Sequence, residues 1–129
     1  MYIDALRSVG VPARIAGTPA WNGVEQNGNH NWVEVYLGID PYCQSDCGDG
    51  WYFNEAYPAG PGETFDNPCD KWFCNNSKFN PSDPLTTKVF AAKFSKEGDV
   101  SYPMAWDLRN KEIPGIERSQ YYMNACSKC

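Results

Sequence analysis

"GNHNWVEVYLG", Gly28 to Gly38, carries the chain's single histidine at the point where a loop of Gly and Asn gives way to strict two-residue alternation. Trp32, Glu34 and Tyr36 fall on one face and Val33, Val35 and Leu37 on the other, which is the pattern of a β-strand over Asn31–Leu37. A loop-to-strand junction fixes the backbone and leaves a side chain at the rim of a sheet, so His30 is a candidate for chemistry.

Working outward, Tyr2 to Val9 places Ile3 and Leu6 on one helical face, and Gly10 and Pro12 end the helix. "VPARIAG" (11–17) is a short strand closed by the turn at Thr18-Pro19, and residues 22–31 form a polar loop. "WYFNEAY" (51–57) is a second aromatic strand, joined to the first as a long-looped antiparallel hairpin across the turn "GIDPYCQSDCGDG" (38–50). Residues 58–84 are turn-rich with "WF" at Trp72 as an anchor, and "TTKVFAAKF" (86–94) returns to strand character. "SYPMAWDLRNKEIPGIERSQYYM" (101–123) reads as surface wrapping. The expected class is α+β, one domain over 1–129 with a small antiparallel sheet packed against a helix.

With 129 residues, 15% aromatics and a net charge of -5, the chain is long enough for one core and has no basic stripe for nucleic acid. No apolar run approaches the roughly 18 residues of a membrane span. The opening "MYIDALRSVG" has neither the basic nor the apolar region of a secretory signal.

Cys43, Cys47, Cys69, Cys74, Cys126 and Cys129 form three close pairs in sequence. In a small acidic domain these read as disulfides, with local bridging the simplest pairing, and imply a secreted protein; thiolate ligands to zinc are the alternative. Asn75 opens a glycosylation sequon, which fits the same extracellular setting. Asp40, Asp46 and Asp49 share a turn and are the only suggestion of Ca²⁺; no cofactor is otherwise expected. Trp21, Trp32, Trp51, Tyr52, Phe53 and Trp72 are expected in the core.

"ALRSVGVPARIAGTPAW", "GNHNWVEVYL" and "GWYFNEA", in this order and spacing, resemble three consecutive blocks of the transglutaminase-like superfamily, which has a papain-related fold. The tail from "TTKVFAAKF" onward more loosely resembles that of a secreted or bacterial subgroup. The resemblance implies acyl transfer at an amide, by hydrolysis or by transfer from Gln to an amine, through a Cys–His–acid set on a protein or peptide substrate. His30 matches the base, Glu55 the acid, with Asn54 as a substitute for it, and Arg14 a structural residue. Trp32, with Trp21, would shield the cleft. These groups are expected to meet across neighbouring strands beside the start of the first helix.

The nucleophile is the departure. By the family pattern the Cys lies roughly ten residues before Ala5, so this chain would lack its nucleophile turn. Three expectations follow. Another segment supplies the thiol; or the fold persists without catalysis as a structural subunit of an extracellular assembly; or Cys126 or Cys129 takes the role.

Overall fold

The computed structural model describes residues 1–39, 41–43, 48–54 and 87–127. Among them two helices, α1 (Tyr2–Ser8) and α2 (Ser119–Cys126), flank five strands: β1 (Ala13–Thr18), β2 (His30–Tyr36), β3 (Trp51–Asn54), β4 (Phe90–Ala92) and β5 (Gly115–Glu117). The strands form one antiparallel sheet in the order β3-β2-β1-β4-β5. The expected α+β class, the helix and the β2–β3 hairpin are all present, with Tyr36 opposite Trp51. The second half of "WYFNEAY", the segment around Trp72, and Cys47, Cys69, Cys74, Asn75 and Cys129 lie outside the described residues.

Residues 101–123 are not surface wrapping. They contain β5 and the start of α2, and Tyr122 of α2 is fully buried. Isolated, eight residues cannot sustain a helix, so α2 exists because its face docks on the sheet. Prolines at 103 and 114 and the shortness of the apolar pattern hide that face from a reading by periodicity.

The alternation of β2 separates two cores. Val33 and Val35 join Ala13 on one face, against Tyr2, Ile3 and Leu6 of α1 and Val11. Trp32 lies on the other face with Ala16, Trp21, Phe53, Val89, Ala91 and Tyr122. Trp21, Trp32 and Phe53 are buried as expected, whereas Trp51 and Tyr52 are only half-buried. α1 packs thinly, with no fully buried residue.

Glu34, on the Trp32 face, is 0% exposed. A carboxylate taken fully out of water is tolerated only when each oxygen finds a cationic or hydrogen-bonding partner. Arg14, opposite it on β1, donates from Nε to Oε2 at 2.7 Å. Arg14 Nη2 also lies 2.7 Å from Oε2 but off the direction of a hydrogen bond, so it adds charge attraction only. Arg118 Nε donates to Oε1 at 2.9 Å, and the Tyr122 hydroxyl donates to the same oxygen at 2.8 Å. Arg118 extends the network outward to Asp49, while the two guanidinium groups lie 3.9 Å over Trp51 (Arg14) and 4.0 Å over Tyr121 (Arg118). Burial by itself would lower the Arg118 pKa, and the Glu34 carboxylate together with Tyr122 and Asp49 outweighs this and raises it.

No described cysteine is free: Cys43 and Cys126 are both disulfide-bonded. No described helix is long and apolar enough to cross a membrane.

Two outcomes test this account. Glu34→Gln keeps the shape and removes the charge, leaving the buried Arg14 guanidinium uncompensated and Arg118 with Asp49 as its remaining partner; urea unfolding should show a loss of about 3–5 kcal/mol. Burial pushes the Tyr121 pKa from 10.0 up to about 12. The unfolded chain therefore releases this proton first, so stability is full below pH 10 and falls as pH rises toward 12. The phenolate absorbance of Tyr121, taken as the difference between the parent and Tyr121→Phe in an alkaline titration, should accordingly appear together with loss of the fold.

Candidate functional site

His30 opens β2, paired with Thr18 at the end of β1. The loop that delivers it is laced shut. Trp21 N–H donates to the Gly28 carbonyl at 3.0 Å, and Asn27 Nδ2 donates to the Trp21 carbonyl at 3.0 Å. Asn22 takes the left-handed conformation (φ 53) that Asn tolerates better than most residues, and its N–H donates to Thr87 Oγ1 at 2.8 Å. Gly28, at φ 79, turns the chain out of the loop. The His30 backbone is thus fixed from both sides.

The imidazole is half-buried and lies against the Trp32 ring, with centroids 5.9 Å apart and planes 29° apart. Trp32 in turn packs against Trp21 at 6.5 Å and edge-on to Tyr122 at 5.3 Å. Its Nε1–H donates to the Tyr122 hydroxyl at 2.8 Å, and that hydroxyl donates onward to Glu34. The orientation of the His30 platform is therefore tied, through one indole and one phenol, to the buried carboxylate. Burial raises the Tyr122 pKa well above its ordinary value, so this phenol stays a donor.

The expected residues meet only in part. Asn54 pairs with Val33, and residues opposite each other in a ladder share a face, so Asn54 projects on the α1 side. His30 projects with Trp32 on the other side, and Asn54 does not orient the imidazole. For the same reason α1 does not face the His30 ring; it packs on the far side of the sheet. Glu55 lies outside the described residues. Trp32 lies buried against the imidazole and Trp21 is buried against Trp32, so they form a floor and not an exposed wall. Cys126 is disulfide-bonded and carries no thiolate in this state, and Cys129 lies outside the described residues. Asp49 is engaged by Arg118, Asp40 and Asp46 lie outside the described residues, and no described group of His, Cys, Asp or Glu could hold a metal ion.

Sequence reasoning placed Arg14 as structural and missed its partner Glu34, with Arg118 and Tyr122 that share the same carboxylate. One signal was available: an acid on the tryptophan side of a strand, opposite an Arg, is anomalous unless the pair is buried together.

Residues 1–56 match the family model of the transglutaminase-like superfamily. That span runs from α1 through β3, so Arg118 and Tyr122, which complete the Glu34 network, come from outside it. No curated protein and no solved structure gives a significant match.

Tyr122→Phe removes the acceptor of Trp32 Nε1–H and one donor to Glu34. Expected are a loss of about 1–3 kcal/mol and a displaced His30 ring-proton resonance, read without ambiguity because the chain has one histidine. An unmoved resonance would disconnect the imidazole from this network.

Proposed function

We propose that this chain carries the histidine-and-acid half of a transglutaminase-like acyl-transfer site, and that a segment N-terminal to α1 supplies the thiol. The observation that supports this reading best is the match over 1–56, within which His30 stands at the rim of the sheet on a rigid tryptophan floor. α1 leads into β1 through the turn at 9–12 and packs on the same sheet face, and we take it to run back along the strand. Continued to the family's Cys position, roughly ten residues before Ala5, α1 becomes about fourteen residues long, a rise of about 21 Å that is close to the length of six-residue β1, about 20 Å. Its start would come level with the Thr18–His30 end. His30 faces the other side of the sheet there, so a thiol would meet it over the end of the strand.

In this site His30 takes the thiol proton, and the thiolate attacks an amide carbonyl. His30 then returns the proton to the leaving amine, and water or a second amine releases the acyl group. Glu55, directly after β3, is the residue proposed to orient the imidazole. The substrate is a protein or peptide amide. We further propose an extracellular setting, with Asn75 glycosylated and the cysteines forming a disulfide framework.

A second reading has its own support: the imidazole is packed on Trp32, and neither described cysteine is a thiol. On that reading the domain is a structural subunit of an extracellular assembly.

Iodoacetamide labelling of the native protein at neutral pH, mapped by peptide mass spectrometry, separates the two. One thiol should label faster than a free peptide cysteine, and His30→Ala should lower kcat/KM for amine incorporation into a glutamine peptide by about 10²–10⁴. If every thiol labels at the free-cysteine rate, the structural reading stands instead.

A further inference from the structure

Next to His30, the Asn31 side chain is held by one end. Its Oδ1 accepts a 2.5 Å hydrogen bond from the Tyr102 hydroxyl. Among the described residues its Nδ2 donates to no group, and the residue is half-buried. Asn31 lies on the face of Val33 and α1, the side from which a continued α1 would approach.

The arrangement is built rather than incidental. Tyr102 is 2% exposed, its burial raises its pKa, and its own N–H donates to the Ile113 carbonyl at 2.8 Å, so the phenol is fixed and protonated. Gly17, opposite Asn31 on β1, makes room for both side chains. A Cβ there would stand 2.5 Å from the His30 carbonyl oxygen, 2.6 Å from Asn31 Oδ1 and 3.0 Å from the Tyr102 hydroxyl. No side chain fits at 17 without displacing the His30 carbonyl, the Asn31 carboxamide or the Tyr102 hydroxyl.

A carboxamide whose oxygen already accepts one hydrogen bond is held in one orientation and keeps both N–H donors to offer. A neutral donor, pre-oriented at the strand end that carries the base though on the opposite face of the sheet, suits the carbonyl oxygen of an amide that reaches round that end, where negative charge gathers as the acyl carbon is attacked. We infer that Asn31 is the residue that takes the substrate carbonyl oxygen, and that Tyr102 positions it. This rests on the proposed function and adds the group that recognises the amide. Tyr102 lies outside the span matched to the family.

The test uses the native protein, isotope-labelled for NMR, and a glutamine peptide capped at both ends as probe. The probe should shift the Asn31 side-chain NH₂ signals together with the His30 ring. Asn31→Asp keeps the acceptor for Tyr102 but has no N–H, so probe affinity should fall up to about tenfold and turnover by about 10²–10³. Tyr102→Phe keeps the slot filled and frees the carboxamide; its NH₂ signals should move to averaged positions, with an intermediate loss of affinity. If the probe shifts His30 but not Asn31, or if Asn31→Asp binds as tightly as the parent, the inference is overturned and the acyl-transfer site stands without it. If the probe shifts neither residue and no fast thiol is found, the proposed function fails and this inference with it.

Discussion

A buried carboxylate with a cationic partner on each oxygen organises this domain. Glu34 joins β2 to β1 through Arg14 and to the C-terminal segment through Arg118 and Tyr122. Desolvating a carboxylate costs several kcal/mol, and charge-assisted hydrogen bonds in a low-dielectric interior offset that cost only while every partner is in place. The consequence is geometric: the chain cannot bury Glu34 without bringing residues 84 positions apart into contact. α2 docks where it does because that carboxylate needs its second cation.

The same network sets the floor of the candidate site. Tyr122 accepts from Trp32 and donates to Glu34, so the indole on which His30 rests cannot rotate independently of the ion pairs. From the other side, the laced loop at 21–28 and the pairing of His30 with Thr18 hold its backbone. The histidine is rigid for reasons that lie mostly outside its own stretch of sequence.

The two faces of the sheet carry different duties. The α1 face is aliphatic beside the helix and, toward the rim, presents the Asn31–Tyr102 pair in the space left by Gly17. The α2 face is aromatic and ionic, and it holds the imidazole. Chemistry at the end of β2 would therefore draw on both faces at once, around the end of a strand.

Sequence by itself determined the local elements: the alternation in "NWVEVYL" fixed β2 and its two faces, Gly10 and Pro12 ended α1, and "WYFN" formed the hairpin partner. Periodicity and turn chemistry are carried by neighbouring residues, so they can be read one segment at a time. It also marked His30 and Arg14, through blocks whose spacing is local. Only the tertiary structure decided that Glu34 is buried, that Asn54 projects away from the imidazole, and that "ERSQYYM" becomes strand end and helix. Each depends on which segment packs against which, and an eight-residue amphipathic helix or a paired buried charge has no stable existence until its distant partner arrives.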